Sequence, residues 1–413
     1  MVFEFTFNNY RSYKDEATLS FVSKPINEHE SSLIEAMDEK LLPVNVIYGP
    51  NGGGKSSVLL AFRYMASLIV LPFISMQKIK GDNDEVDIDE VAKKWQGSFK
   101  RESYKWDETC NDEPSAFSVL FQKNNIKYRY EISVLDDRIV GEGLYVQRNE
   151  NDVETIFERD WDDISISERI QIPMDINVNK NLPFLVYLGM LLDLEEVDET
   201  IVFFFSIKYI NFDKNNIDHS IPIGKIVENK NRILPITQKM GIPICDFRVE
   251  YDDNGIIKHV FAKHVINGQA SQKDIDFNAE SSGTRKIFSL IYTLIESIDN
   301  GDIVVIDELD AKLHPLLLQC IIDLFTNPGI NKNGAQLLFT SHDIITMSNE
   351  VFRRDEIWFA AINDNAESFL YSLADFKKAN GKKPRNDEMY GKQYLEGRYG
   401  ADPYIMRISE WED

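Results

Sequence analysis

A chain of 413 residues is long enough for one large core with insertions or for two domains, and its 43% apolar and 27% charged residues are ordinary for a soluble globular protein. A formal charge of −23 repels a polyanion at long range; this argues against a protein that simply coats nucleic acid, but leaves room for a local basic groove or a basic protein partner. The three cysteines, Cys110, Cys245 and Cys320, lie too far apart for a disulfide framework or metal-ligand spacing, which fits a reducing cytoplasm.

The first residues, MVFEFTFNNYRSYKDE, lack the basic-then-apolar order of a secretion signal. Apolar and polar residues alternate in FEFTFNN and again in ATLSFVS, which predicts two short strands joined by a turn. PVNVIY (43–48) is a β-rich run ending at a glycine cluster, and KSSVLLAFRYMASLIVL beyond it has helical periodicity. Residues 80–113 are polar and acidic and are expected to form an exposed loop or loose helix. FSVLF, KYRYEISVL and GLYVQR read as antiparallel strands, with Asn124-Asn125 and Asp136-Asp137 at the turns. The region 160–240 reads as helical and irregular. Its apolar stretches around Leu182–Leu192 and Ile201–Ile210 are taken as the longest in the chain. Asp193, Glu195, Glu196, Asp198 and Glu199 separate them, so neither reaches the ~20 residues that span a bilayer.

Residues 245–264 read as a hairpin around Asp252-Asp253-Asn254-Gly255. Strands and helices then alternate. TRKIFSLIYTLIESI is an amphipathic helix and DIVVID an apolar strand of the kind buried in a parallel sheet. PLLLQCIIDLF is a helix, AQLLFTSHD ends another buried strand, and EIWFAAI with SFLYSL forms a last strand pair. There is no internal repeat and no sustained heptad pattern, which argues against long coiled-coil arms.

Four motifs carry chemistry. Gly49-Pro50-Asn51-Gly52-Gly53-Gly54-Lys55-Ser56, followed by Ser57, matches the phosphate-binding loop G-x-x-x-x-G-K-S/T between a strand and a helix. Its glycines let backbone N–H groups turn inward around a phosphate, and the helix offers its positive end. Lys55 is expected on the β- and γ-phosphates of ATP and Ser56 on Mg²⁺. Ile303-Val304-Val305-Ile306-Asp307-Glu308 is an apolar strand delivering Asp307 to the same Mg²⁺, with Glu308 placed to orient or deprotonate a water. Ser281-Ser282-Gly283-Thr284-Arg285-Lys286 opens the amphipathic helix about 20 residues before that strand; alone it reads as a helix cap. Phe339-Thr340-Ser341-His342-Asp343 ends a buried strand, and His342 can donate to a phosphate oxygen.

In this order the motifs resemble those of ABC-class ATPases. The resemblance implies that Ser282 and Gly283, in a variant signature motif, bind the γ-phosphate held by a partner subunit. The variant has Ser281 where the family has leucine, Thr284 for its second glycine and Arg285 for its glutamine. It also makes His342 a switch histidine and Asp310, in Leu309-Asp310, part of a loop crossing the dimer interface. Asn8-Asn9-Tyr10-Arg11-Ser12-Tyr13 resembles the opening of RecF- and SMC-like ATPases, where a basic turn lies near the nucleotide. Arg11 is therefore a candidate nucleotide contact or a solvated loop arginine. Gln77, Gln96 and Gln122 are the candidates for the glutamine of the family's Q-loop. The implied fold is α/β: a P-loop ABC-type head, with a mostly parallel sheet and an antiparallel β subdomain, carrying a large α+β insertion. The expected division is an N-terminal lobe (1–70), an insertion (71–244), a C-terminal lobe (245–360) and a partner-docking extension (361–413).

The tail is more specific. Trp358-Phe359, Tyr371-Ser372-Leu373, Asp375-Phe376 and Tyr394-Leu395-Glu396-Gly397-Arg398-Tyr399-Gly400-Ala401 resemble ATPases of the RloA and AbiL type, grouped with the AAA-15 and AAA-21 classes of bacterial anti-phage systems. The resemblance implies a homodimer or higher homo-oligomer formed through the ATP site. It also implies control of a separately encoded effector, nuclease-like or RloB-like. A RecF-like DNA-repair ATPase is the alternative. Lys377, Lys378, Lys382, Lys383, Arg385, Lys392 and Arg398 make the tail locally basic, which suits an acidic partner, a nucleic acid or a solvated loop.

Overall fold

The computed structural model describes residues 1–82, 100–149, 152–171, 178–211, 223–271, 273–311, 313–378 and 381–401. Two sheets enclose one long helix. The first is antiparallel, and its seven strands run in the order β10-β9-β8-β7-β6-β1-β2. They are β1 (Val2–Asn8), β2 (Ala17–Ser20), β6 (Ser115–Lys123), β7 (Ile126–Leu135), β8 (Arg138–Asn149), β9 (Asp152–Asp160) and β10 (Asp163–Ile166). The alternation in FEFTF buries Phe5 and Phe7 on one face. A small pair, β3 (Ile34–Ala36) and β4 (Glu39–Leu41), lies beyond β2 in the chain.

The second sheet has the order β11-β16-β17-β5-β18-β19. It comprises β5 (Val44–Tyr48), β11 (Ile207–Asn211), β16 (Ile303–Asp307), β17 (Gln336–Thr340), β18 (Ile357–Ile362) and β19 (Ser368–Ser372). All neighbours are parallel except the β18–β19 edge pair. The central strands are apolar at nearly every position because both faces are covered. Ile47, Val305 and Leu338 face the core shared with the antiparallel sheet, and Val46, Val304, Ile306, Leu337 and Phe339 face the opposite core.

Helix α1 (Lys55–Asp82) fills the space between the sheets; Phe62 meets Phe5 edge-on with ring centroids 4.7 Å apart. Two further helices, α2 (Phe184–Leu191) and α3 (Glu195–Phe205), pack against it. On the other face lie α4 (Ile223–Glu228), α5 (Lys230–Lys239), α6 (Ser282–Asn300) and α7 (Pro315–Thr326). A third sheet pairs β12 (Ile244–Tyr251) with β13 (Ile257–Ile266), joined by the short β14 (Gln269–Ala270) and β15 (Ile275–Asp276). The last helix is α8 (Tyr390–Leu395).

Besides the short β3, β4, β14 and β15, the strands β9, β10 and β11 were not expected. β9 is charged at five of its nine positions, with only Ile156, Phe157 and Arg159 buried, and β10 is four residues long with none buried, so their pattern is weak. β11 follows α3 almost directly: the helix ends at Phe205 with Ser206 as its cap, and the apolar run continues as an edge strand beside β16. The longest apolar stretch is also not where it was expected. It lies in α1, whose residues Lys55–Lys78 are long and apolar enough to cross a membrane by length and composition, and more than half of the most apolar part is buried in this fold. The three cysteines are free thiols. The parallel sheet takes strands from each of the four expected segments, since β11 comes from 71–244 and β19 from 361–413.

Candidate active site

The C-terminal ends of β5, β17 and β16 lie side by side, and each runs into a motif. This is where open α/β sheets bind ligands. After β5 the chain turns through Gly49, whose φ of +151° and closeness to β18 exclude any side chain: a Cβ there would lie 2.1 Å from the carbonyl oxygen of Ala360. The loop then enters α1. Lys55 is buried, and its ammonium donates to the carbonyls of Gly49 at 2.9 Å and Pro50 at 3.0 Å. Burial holds the Lys55 pKa below its usual value, against the opposing pull of Glu308, Asp307 and Asp310.

β16 delivers Asp307. Its Oδ1 accepts from Ser56 Oγ at 3.0 Å and from Thr340 Oγ1 at 2.7 Å. The Thr340 hydroxyl in turn accepts the backbone N–H of Glu308 at 2.7 Å, so one side chain of β17 fixes both acids. Glu308 sits at φ +52°, a left-handed conformation that costs a non-glycine residue roughly 1–3 kcal/mol and points to a functional demand. Its side chain is exposed. Ser56 and Asp307 form a pair of hard oxygen donors. That set suits Mg²⁺, which binds a protein through one or two such groups and takes its other ligands from phosphate and water.

His342 follows β17 and stands at the mouth of the cleft, with its backbone N–H donated to Asp310 Oδ2 at 3.0 Å. Partial desolvation in the cleft, then the Lys55 charge, holds its imidazole pKa below the usual value. The cleft has a volume of about 370 Å³. Arg11, Asn51, Gly52, Gly54, Lys55, Ser56, Ser57, Glu308 and His342 line it, together with Ser12, Lys105 and Trp106. Gly53 is buried beneath the loop against the Ala360 carbonyl. Arg11, at φ +56°, is held by Glu102: its N–H donates to the Glu102 carbonyl at 2.7 Å and its guanidinium lies 3.5 Å from the carboxylate.

Ser282 and Gly283 are not among the cleft-lining residues. They lie exposed at the start of α6, where the Ser281 hydroxyl caps the helix by accepting from the Thr284 N–H at 3.0 Å. Asp310 does not line the cleft; its carboxylate accepts from the His342 N–H and acts electrostatically on Lys55. Of the glutamine candidates, Gln77 is exposed near the end of α1, Gln122 is buried on β6 beside Asn125, and Gln96 lies outside the described residues. Sequence reasoning missed Ser12, Thr340, Lys105 and Trp106. Thr340 was within reach, since it stands two residues before His342 at the end of a strand; Trp106 lies in a segment without periodicity.

Residues 44–173 and 196–348 match the AAA_21 family, described as "AAA domain, putative AbiEii toxin, Type IV TA system". Together these spans are well over half of the chain. The chain belongs to this family. Membership makes it a P-loop ATPase-domain protein with an α/β fold, of a family described in a toxin–antitoxin context. The first span contains the phosphate-binding loop, and the second contains Ser282, Asp307, Glu308 and His342. No curated protein matches the chain.

Proposed function

We propose that the chain is an ABC-class ATPase subunit that binds and hydrolyses ATP at a homodimer interface and so controls a separately encoded effector in anti-phage defence. One observation carries the reading. The cleft joins Lys55, Ser56, Asp307, Glu308 and His342, while the helix start with Ser282 and Gly283 lies outside it, open to solvent. A second subunit could therefore bring that helix start to the phosphate bound in the first.

Within the cleft, Lys55 and the loop amides would hold the triphosphate, and Ser56 and Asp307 would hold Mg²⁺, which neutralises phosphate charge when bound. The Glu308 carboxylate would orient the attacking water and take its proton. His342, kept neutral by its lowered pKa, can donate one ring N–H to a phosphate oxygen. ATP bridging two subunits favours the closed dimer, and hydrolysis releases it.

Glu308→Gln is expected to trap an ATP-dependent dimer, read as a shift in size-exclusion light scattering on adding ATP and Mg²⁺. A variant that stays monomeric with saturating nucleotide removes the dimer reading. The defence assignment draws on the family description and on the tail. Its test is the neighbouring gene: a nuclease-like or RloB-like companion that co-purifies supports it, and replication genes point to the RecF-like alternative.

A further inference from the structure

The chain that leads into α6 is gripped on its way by the hairpin β12–β13. Asp274 accepts from the Arg248 guanidinium of β12 at 2.8 Å. Asp276 pairs with Phe261 in the β15–β13 ladder, and its carboxylate lies 3.5 Å from His259. Phe277 is buried edge-on against Phe247 of β12 and Phe288 of α6, with ring centroids 5.7 and 5.5 Å away. The last hold is Glu280, directly before the cap residue Ser281. Its Oε1 lies 3.2 Å from Nε2 of His264 on β13, and the two side chains are only 12% and 15% exposed. Beyond that point Ser281, Ser282 and Gly283 are exposed, and the Ser281 hydroxyl bonds within its own turn, to Thr284. The His264–Glu280 contact is not aligned as a hydrogen bond: Glu280 Oε1 and His264 Nδ1 are both buried without a hydrogen-bond partner among the described residues. Buried polar atoms left unpaired are costly, so a small shift of the helix start that aligns the two is favourable.

We infer that His264 and Glu280 are positioning residues, which set the start of α6 for the phosphate carried by a second subunit. This rests on the proposal that Ser282 and Gly283 serve the partner's nucleotide. A helix start binds an anion through backbone N–H groups that must point at it. A misplacement of about 1 Å can cost on the order of 100-fold where groups must meet in a fixed geometry. Ser281, Ser282 and Gly283 have no side chain long enough to correct such an error, so the direction of the helix start is inherited from the residue before it. Neither His264 nor Glu280 lines the cleft of its own subunit, so the pair acts on the partner's phosphate and not on ATP held by Lys55 and Ser56. A pair kept for stability alone is expected to close its bond. One that moves with a docking helix start can stand open in the free subunit.

The test uses the full-length chain carrying Glu308→Gln, with dimerisation read by analytical ultracentrifugation in ATP and Mg²⁺. His264→Leu fills the buried space but removes the donor, and Glu280→Leu removes the acceptor. Hydrogen bonds to charged groups contribute roughly tenfold or more, so each substitution is expected to weaken the ATP-bound dimer by about that factor. ATP affinity, measured at protein concentrations too low for dimerisation, is expected to stay within about twofold, because the cleft keeps all its own groups. The double variant is expected to be no weaker than the weaker single one, as for residues that act through each other. His264→Gln, which keeps a donor, is expected to recover most of the loss. An unchanged dimer in both leucine variants overturns the inference. So do losses that simply add, or an ATP affinity that falls in step with the dimer, since either would reveal a general loosening of the fold. Should a leucine variant fail to fold, Glu280→Asp retracts the carboxylate by one methylene and carries the same test: a weakened dimer supports the pair and an unchanged one overturns it. If Glu308→Gln alone does not dimerise with ATP, the dimer reading falls, and this inference with it.

Discussion

Thr340 shows how much of the site depends on a residue to which the sequence assigned no role of its own, although it lies within the His342 motif. Its hydroxyl donates to Asp307 and accepts from the Glu308 N–H, so it orients the expected metal ligand and anchors the strained backbone of the expected base. Groups that orient metal ligands typically contribute 10- to 100-fold to metal affinity or activity. Thr340→Val keeps the shape and removes both bonds. Its ATPase rate is expected to fall roughly 10- to 100-fold, with a raised Mg²⁺ requirement and metal-free nucleotide binding nearly unchanged. A Mg²⁺ titration of turnover checks this; a variant with wild-type turnover and Mg²⁺ dependence would leave Thr340 as strand packing alone. At this scale the sequence spoke clearly where the backbone itself makes the site. Gly49 to Ser56 are demanded by a loop that must turn tightly and face a phosphate, so their identities carry the geometry. Thr340 stands near His342 in the chain, but its bonds to Asp307 and to the Glu308 N–H join distant segments, and no local spacing encodes those.

Elements were legible in proportion to how strongly burial patterned them. β5, β16 and β17 are apolar almost throughout because they are covered on both faces, and α6 is amphipathic because one face is open. β9 was hidden by its charge, and β10 by its length of four residues with none buried. The polar segment 80–113 was read as an exposed loop or loose helix; 83–99 lie outside the described residues, but Arg101, Tyr104 and Cys110 are buried, the last two bonded to Asn9 of the N-terminal turn. The basic tail is partly paired within itself. Lys378 pairs with Glu388, Arg385 with Asp387, and Arg398 with Glu396, so much of its positive charge is met locally. Tyr394 and Tyr399 are buried against Phe359 of β18, with ring centroids 5.6 and 5.5 Å from it, and Tyr394 also faces Tyr48, which immediately precedes the phosphate-binding loop.

Helix α8 thereby touches the segment that follows His342. The Gly391 N–H donates to the Met347 carbonyl at 3.1 Å, and a Cβ on Gly391 would lie 2.4 Å from the Ile344 carbonyl oxygen. Gly391→Ala must push the helix and that segment apart. Overpacking of this kind costs about 1–3 kcal/mol, so the urea midpoint is expected to drop. Because the displaced segment carries His342, turnover should fall more than ATP affinity does. A stable variant with normal turnover would show that the tail and the histidine move independently.

For the whole molecule, charge sets the conditions under which two copies can meet. Each subunit carries −23, and bound ATP adds more of the same sign. Two such bodies repel over a range set by ionic strength: the Debye length is about 30 Å at 0.01 M salt and about 8 Å at 0.15 M. A dimer closed by phosphate bridging and helix N-termini makes its contacts at short range, where added salt screens little, while the repulsion between the bodies is long-ranged and screened strongly. The ATP-bound Glu308→Gln dimer is therefore expected to tighten as salt rises from 0.01 to 0.15 M, measured by analytical ultracentrifugation at fixed Mg²⁺ and saturating ATP. Surface ion pairs between subunits would give the opposite slope, because screening would remove their attraction. A dimer that loosened with salt would mean that complementary surface charge, rather than the shared nucleotide, holds the subunits together. Glu308→Gln would then dimerise without ATP as well, and omitting the nucleotide in the same experiment separates the two cases.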